Sequence, residues 1–229
     1  MTICRIFANS TQKLYLCKTM EQEKLNWYGL KIFFNKVFEW EAELGERGLE
    51  TYIPVRLVKL EGEEHLRVAR RLAVPGGGSA DSRYVQEGAV LYRREPVVSS
   101  LLFVHAPESA VPEIDSLLLG QGFVYRMADR KRPSVIPDKE MAVFRMVCSS
   151  GADGLEFFCD EDMTRYRKGD RVRVLDGPLK GAEGYVRRIR KDRRLLVCIE
   201  GFIAVATSYI PPQLLEKVKE DDAPAENNS

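Results

Sequence analysis

The spacing of apolar and polar positions over residues 26–150 predicts a domain of mixed strands and helices. The aromatic and β-branched run 27–32 predicts a first strand, and the apolar positions of 35–46, interleaved with glutamates, predict an amphipathic helix. The later predicted elements are strand 51–60, buried strand 97–104, short helix 107–119, strand 123–127 and a helix that opens at Pro137. This β-α-β-β-α-β-α order is typical of an α/β sandwich in which helices back one sheet.

The segment 61–94 interrupts this pattern because it is long, polar and contains several glycines. Its two more apolar patches, 66–74 and 84–92, are predicted to pair as a hairpin arm across the tip 76–82. Loops of this length are uncommon in compact domains and are usually functional. The arginines of this inserted arm are candidates for contact with DNA or a protein surface, and the alternative is a flexible loop that makes no such contact.

The pattern changes after residue 164, where short strands are separated by glycine turns. Charged and apolar side chains alternate over Asp170–Val174, and the further predicted strands are 184–189, 195–199, 203–205 and 213–218. Gly177, Gly181 and Gly184 are assigned to turns that reverse these short strands. Such closely spaced strands predict a small β-barrel over 165–219, so the whole chain is expected to be α+β.

Charge divides the chain along the same boundaries, although its formal total is only +1. The predicted linker 151–164 carries five acids and no base, whereas the module 165–219 carries fourteen bases and six acids. The last residues, 220–229, hold four acids and are expected to be a disordered tail. Residues 1–25 show no clear period and are treated as an N-terminal extension. One hypothesis is that the acidic linker shields the basic module.

Composition argues against several classes of protein. With 45% hydrophobic and 30% charged residues the chain has a globular composition, and no run approaches the roughly 20 apolar residues of a membrane span. Five widely spaced cysteines without a CxxC pair favour reduced thiols in a cytoplasmic protein. The two histidines, His65 and His105, lie in no recognisable catalytic or metal-binding motif. We therefore expect no enzyme, no cofactor and no metal.

A dense basic cluster surrounds the predicted turn 191–192. It places six positive charges within eight residues and consists of Arg187, Arg188, Arg190, Lys191, Arg193 and Arg194. Clustered arginines engage phosphates and stack on bases, so the cluster is a candidate nucleic-acid site, with RNA favoured over DNA. The alternative is a solvated hairpin whose charges serve only solubility.

Residues 168–186, KGDRVRVLDGPLKGAEGYV, resemble a KOW motif, in which a strand, a Gly-Pro turn, a second glycine and another strand recur. Three marks in the preceding domain extend the resemblance: Trp27-Tyr28, Tyr52-Ile53-Pro54, and Arg94-Glu95-Pro96-Val97-Val98 leading into Leu102-Phe103-Val104. In this order they resemble the NusG family of transcription elongation factors over about residues 26–218. The resemblance implies an NGN-type domain over 26–150 followed by a KOW β-barrel.

The resemblance also implies partners and contact residues. In the family, the N-terminal domain binds the clamp helices of the RNA polymerase β′ subunit through an apolar depression. The matching residues are Trp27, Tyr28, Val98, Leu101 and Phe103, although the same side chains would serve equally well as core. The KOW domain of the family binds a termination factor or a ribosomal protein, which implies contacts through Phe202 and Ile203. A monomer that also meets DNA or nascent RNA is expected, with no membrane partner.

One departure indicates a specialised member of the family. Where the family commonly has Phe-Pro-Gly-Tyr, this chain has Val98-Ser99-Ser100-Leu101. Together with the arm 61–94, this makes the chain most similar to UpxY-type antiterminators of capsular polysaccharide operons, which resemble RfaH and LoaP. The expected function is processive transcription of selected operons. Two alternatives stay open: a ribosome-associated KOW-type RNA-binding protein, and an unrelated Cys/His hydrolase.

Overall fold

The computed structural model describes residues 23–72, 81–127, 129–150, 155–158, 170–189, 192–199 and 202–218, without the side chains of residues 193 and 208. The predicted tail 220–229, residues 1–22 of the predicted extension and most of the predicted linker 151–164 lie outside these ranges. The chain divides into two compact units, with the division between Val135 and Ile136. The mixed α+β class is confirmed by the elements of both units.

Four α-helices and fourteen strands are found in the described residues. The helices are α1 (Val37–Glu46), α2 (Gly62–Leu72), α3 (Val111–Leu117) and α4 (Asp138–Ser149). The strands up to the division are β1 (Leu25–Ile32), β2 (Glu50–Tyr52), β3 (Val55–Lys59), β4 (Tyr84–Glu87), β5 (Val90–Pro96), β6 (Leu101–Pro107), β7 (Gly122–Val124) and β8 (Val135–Ile136). The later strands are β9 (Glu156–Phe158), β10 (Asp170–Val174), β11 (Glu183–Ile189), β12 (Asp192–Ile199), β13 (Ile203–Tyr209) and β14 (Leu215–Lys217).

The main sheet of the first unit has the order β2-β6-β1-β7, and β8 also pairs with β1. Because side chains alternate across a strand, Tyr28, Leu30 and Ile32 of β1 share one face. All three are fully buried and pack with apolar residues of α1 and α3 in the core of this unit. The opposite face carries Trp27 of β1 and Phe103 of β6, which are also buried. The sheet therefore buries side chains on both of its faces.

The inserted arm differs from the hairpin predicted for it. Its first patch forms helix α2, and the hairpin is instead β4–β5, with its turn at Gly88, whose φ is +59°. β3 joins this hairpin in a three-stranded sheet of order β3-β5-β4. Leu60, Val68 and Leu91 are buried together beneath α2, with Tyr84 packed against them. The arm is thus a small packed layer with its own core, because Val68 on the helix buries its side chain against the sheet.

Two predicted strands are also shorter or divided. The predicted strand 51–60 breaks at Ile53-Pro54, so that β2 pairs in the main sheet while β3 pairs in the arm. A proline lacks the N–H that a ladder needs, which explains the break. The predicted strand 97–104 begins only at Leu101, because residues 97–100 form a turn closed by the Leu101 N–H donating to the Val98 carbonyl at 3.2 Å.

The second unit contains a six-stranded antiparallel sheet of order β14-β10-β11-β12-β13-β9. One face of this sheet supplies a row of buried side chains, which are Val172, Val174, Leu195, Val197, Ile199, Ile203 and Val205. Helix α4 packs against β12 and β13. The predicted boundary at residue 150 therefore differs from the observed division, which leaves this helix with the second unit. Part of the predicted linker also joins the sheet, as β9.

Candidate protein and nucleic-acid interfaces

The five residues predicted to contact RNA polymerase do not form an exposed depression. Trp27, Leu101 and Phe103 lie on one face of the main sheet and are 5%, 3% and 0% exposed, while Tyr28 lies on the other face and is also fully buried. Only Val98, in the turn before β6, is half-exposed. Burial raises the pKa of the Tyr28 phenol, an effect that a hydrogen bond from Asn26 opposes. Tyr28 belongs to the core cluster of the first unit, whereas Trp27, Leu101 and Phe103 are buried on the opposite face of the sheet.

An exposed aromatic surface lies at the end of the same sheet face and was not predicted. It consists of Phe34, Phe33, Phe123 and Tyr125, and in this order the centroids of neighbouring rings are 6.2, 6.0 and 5.5 Å apart. Lys31 pairs with Phe123 across β1 and β7, which puts Phe33 and Tyr125 on that face as well. Phe34 is 74% exposed and Phe123 is 44% exposed. Large apolar side chains grouped on a surface in this way mark an interaction site.

The chain reaches this position because the strand ends in a sharp turn. The Phe33 N–H donates to the Gln121 carbonyl at 2.7 Å, which keeps Phe33 beside β7 after β1 has ended. Phe34 and Asn35 then take left-handed φ values of +60° and +55° before α1 begins. The sequence signal was the pair of adjacent phenylalanines, Phe33 and Phe34, at the junction of a strand and a helix. Adjacent side chains along a strand point in opposite directions, so two such neighbours are seldom buried in the same core.

A basic turn adjoins the aromatic surface. The turn is closed by an isolated antiparallel β-bridge between Arg126 and Pro133. Its exposed side chains include the bases Arg130, Lys131 and Arg132. Asp129 is the acid inside the turn: it accepts from the backbone N–H groups of residues 131 and 132 and from the Arg132 side chain. These hydrogen bonds hold the pKa of Asp129 at about 2. The turn is therefore locally ordered and carries a surplus of positive charge.

The predicted basic cluster lies on the β11–β12 hairpin, where arginines face arginines. Arg187 is directly opposite Arg194, and Arg188 is directly opposite Arg193. Because neighbours along a strand point to opposite faces, Arg187 and Arg188 occupy different faces of the hairpin. Like charges directly opposite one another destabilise a sheet. Arg190 and Lys191 lie outside the described residues.

On the face of the hairpin that carries Arg187 and Arg194, part of the positive charge is balanced by an acidic side chain of the same protein. Arg194 Nη1 donates to Glu156 Oε1 on β9 at 2.8 Å, and the Arg194 side chain is only 13% exposed. The nearby cluster of Leu196, Ala204 and Ala206 packs with Ile189 on this same side. Glu156, one acid of the predicted linker, thus forms an ion pair with one arginine of the basic module, and the shielding hypothesis stays a prediction.

The arginines of β10 are compensated in a similar way. Glu183 accepts from Arg173 at 2.8 Å and from Arg171 at 3.0 Å, and Lys139 Nζ lies 3.1 Å from it. Burial alone would raise the pKa of Glu183, but the hydrogen bonds from Arg173 and Lys139 outweigh it and leave the pKa below its ordinary value. These bases are thus engaged inside the second unit.

The glycines of the KOW-like segment have two different structural roles. Gly177 and Gly181 have φ values of +89° and +86°, which favour glycine, and they lie between β10 and β11. Gly184 was assigned to a turn but lies inside β11. A Cβ there would stand 2.4 Å from the Leu196 carbonyl oxygen, so glycine is needed for close strand contact. The segment 170–189 is thus a strand, a glycine turn and a second strand.

The predicted partner contacts of the KOW-like module are buried. Phe202, expected as an exposed aromatic, is 7% exposed, and Ile203 is fully buried. Among the residues that the structure describes, no group of three or more histidine, cysteine or acidic side chains is arranged to hold a metal ion. In the same residues no helix is long and apolar enough to cross a membrane.

Comparisons with known proteins find a likeness among solved structures. No protein-family model matches the chain, and no curated protein matches it. A solved structure of NusG from Thermotoga maritima, titled "Domain interaction in Thermotoga maritima NusG", is similar with a TM-score of 0.37 and 18% sequence identity. The match covers 86% of this chain and 98% of that one. An overlay this loose carries no residue roles from that protein to this chain.

Proposed function

We propose that this protein is a non-enzymatic, cytoplasmic transcription factor of NusG type that binds RNA polymerase with its first unit and nucleic acid with its second. The supporting observation is the segment 170–186, the described part of the KOW-like sequence, which forms a strand, a turn at Gly177 and Gly181, and the start of a second strand. Short strands reversed by glycines give a rigid module that presents a hairpin, and here the hairpin is rich in arginine. Such a module suits a protein that rides on a larger transcription complex.

The polymerase contact is assigned to the aromatic surface rather than to the buried residues beneath it. Trp27 and Phe103 support the sheet from which Phe33 and Phe123 project, so the marks shared with the NusG family would hold the contact surface in place. An amphipathic helix of the polymerase clamp is a suitable occupant, because exposed aromatic rows bind the apolar stripe of a helix. The resemblance to the family, not the shape of the surface, names the β′ subunit as the partner.

The finer assignment is to a specialised antiterminator of the UpxY kind. It rests on Val98-Ser99-Ser100-Leu101, which forms the turn before β6, and on the packed arm 61–94. A general factor would need neither the arm nor its exposed arginines. Selective action on operons, such as those for capsular polysaccharides, follows if the arm or the basic hairpin reads features of the leader.

Capture by a purified fragment that contains the β′ clamp helices tests the proposal. The unaltered chain should be captured, and the double variant Phe34→Ser, Phe123→Ser should lose at least about thirtyfold in affinity, since even one hot-spot aromatic carries about 2 kcal/mol or more. Leu66→Ser, which removes a side chain 55% exposed on the arm, is the matched control and should bind normally. No capture of the fragment, combined with binding that depends on ribosomal RNA, would favour the ribosome-associated alternative.

A second experiment tests selectivity. Transcription in vitro on templates with different leader regions should show read-through on some leaders only. The same effect on every template would support a general elongation factor and contradict the specialised assignment.

A further inference from the structure

The aromatic surface continues into the basic turn along the same face of the sheet. The Ser134 N–H donates to the Tyr125 carbonyl at 3.0 Å and the Met127 N–H to the Arg132 carbonyl at 3.0 Å, so residues 125–127 lie antiparallel to residues 132–134. Met127 is 46% exposed. Because alternate residues of a paired chain share a face, Met127 continues the row that Phe123 and Tyr125 begin.

The bases of the turn fall into two groups. Arg126 is bound on the side of the sheet that carries α3, where it pairs with Asp115 and donates to the Lys131 carbonyl at 2.7 Å. Arg130 and Lys131 are exposed, and within the described ranges neither forms an ion pair with a carboxylate. The acid inside the turn is already held by backbone N–H groups and by another arginine. Two positive charges therefore stand uncompensated where the row ends.

A third base stands beside the row. Lys31 is directly opposite Phe123 across β1 and β7, and its Nζ donates to Ser100 Oγ at 2.8 Å. In the described part of the chain this ammonium group has no carboxylate partner. The apolar row is thus bordered by positive charge at one end and beside its first ring, and apolar patches with a polar rim mark interaction sites.

We infer that the aromatic surface, Met127 and the basic turn together bind one partner, an amphipathic helix whose apolar stripe is bordered by acidic side chains. The inference rests on the proposed function and adds the charge of the helix that binds there. From Phe123 to Met127 the row spans about 13 Å, a little over two turns of an α-helix, which fits apolar anchors at positions i, i+4 and i+7. The uncompensated bases select acidic borders, because opposite charges steer association and like charges repel the wrong helix.

The packing of the rings favours a helix over a single-stranded nucleic acid. A nucleic-acid platform offers flat ring faces on which successive bases stack. Here neighbouring rings meet edge to face, with interplanar angles of 79°, 67° and 67°. The row also includes Met127, whose flexible apolar side chain suits a peptide surface better than base stacking.

The test uses two labelled synthetic helices with the same leucine stripe, one bordered by glutamate and the other by lysine. Their binding to the full chain is followed by fluorescence anisotropy at low and at high salt. The charge variant is Arg130→Gln, Lys131→Gln, and its matched control is Arg67→Gln, Arg70→Gln, which removes two exposed bases from α2. Circular dichroism and thermal unfolding show whether each variant keeps its fold.

The unaltered chain should bind the glutamate-bordered helix more tightly than the lysine-bordered helix, and this preference should shrink as salt rises. R130Q/K131Q should lose about fivefold in affinity for the glutamate-bordered helix at low salt, mostly through slower association. R67Q/R70Q should bind as the unaltered chain does. Phe34→Ser, Phe123→Ser should weaken the binding of both helices, since the leucine stripe is common to them.

Equal affinity for the two helices, or equal behaviour of R130Q/K131Q and its control, would overturn the inference, because the turn would then play no part in recognition. Failure to bind either helix would overturn it as well, as would tight binding of a single-stranded RNA that F34S/F123S abolishes. The glutamate-bordered helix carries no polymerase sequence, so its binding without capture of the clamp-helix fragment would contradict the polymerase assignment alone. Capture of that fragment together with any of the overturning results would contradict this inference alone.

Discussion

The ion pair between Glu41 of α1 and Arg94 of β5 should be the strongest side-chain link between the main domain and its arm. Both guanidinium nitrogens of Arg94 meet the carboxylate oxygens of Glu41 at 2.8 Å, and each side chain is only 16% exposed. Arg94 also donates to the Ser82 carbonyl at 2.6 Å and lies 5.1 Å from the centre of the Phe38 ring. This bidentate, screened pair links residues 53 positions apart in the chain.

A double-mutant cycle with Glu41→Gln and Arg94→Met measures the coupling between the two charges. We expect about 2 kcal/mol, which lies above the 1 kcal/mol ceiling of exposed pairs and below the roughly 3–5 kcal/mol lost when a fully buried pair is broken. The bond to Ser82 is lost both in Arg94→Met and in the double variant, so it cancels from the cycle. The control is the pair Glu43–Arg47, also 2.8 Å long but with a Glu43 side chain 46% exposed, for which about 0.4 kcal/mol is expected.

Urea unfolding followed by tryptophan fluorescence is the assay. The chain has two tryptophans, Trp27 and Trp40, and both are buried in the first unit, so the signal reports that unit alone. The midpoint should shift while the slope of the transition stays constant. A coupling no larger than that of Glu43–Arg47 would refute the reasoning, because it would show that burial and bidentate geometry add nothing here.

Three further predictions concern the second unit and the basic turn. Gly184→Ala should destabilise the second unit by about 3 kcal/mol in thermal unfolding, because the added Cβ would meet the Leu196 carbonyl. In Gly181→Ala the added Cβ meets no atom, so this variant should cost only the strain of the left-handed backbone, about 1–2 kcal/mol. Equal costs for the two variants would contradict this prediction. Because the pKa of Glu183 in the folded protein is lowered from 4.5, its contribution to the free energy of unfolding is complete above pH 4.5 and is lost as the pH falls through the folded pKa. Glu183→Gln should therefore lower the stability at pH 7 and reduce the further loss of stability in acid. Parallel curves of stability against pH for the variant and the unaltered protein would exclude the effect. Carbon NMR of the Asp129 carboxyl should show a midpoint near pH 2, and an ordinary midpoint near 3.8 would mean that the turn is open in solution.

The sequence of the arm carries two competing local signals, one for a helix and one for a hairpin tip. Helix α2 has Glu63 and Glu64 in its first turn and Arg70 and Arg71 in its last turn, which is the charge order that a helix dipole favours. The glycines of 76–78 suggested a hairpin tip instead, although the hairpin turn lies at Gly88. Strand and helix patterns in short segments compete closely, and packing of Val68 beneath the helix decides between them.

The candidate sites likewise have some features that could be predicted from the sequence and others that could not. The six bases of the hairpin and their spacing could be read from the chain, as could the turn at Gly177 and Gly181. Exposure could not be read, because an aromatic side chain in a strand looks the same whether its face is covered or open. Trp27 and Phe103 are therefore core, while Phe34, just beyond the end of β1, is on the surface.

The sequence by itself determined what depends on neighbours along the chain: the alternation of strands, the glycine turns, the two-part organisation and the uneven distribution of charge. Only the tertiary structure decided what depends on residues far apart. It placed Glu156 against Arg194, 38 positions away, and so gave this arginine of the hairpin an internal partner. The physical reason is that burial and charge pairing are properties of a three-dimensional neighbourhood, whereas backbone preference and periodicity act within a few residues.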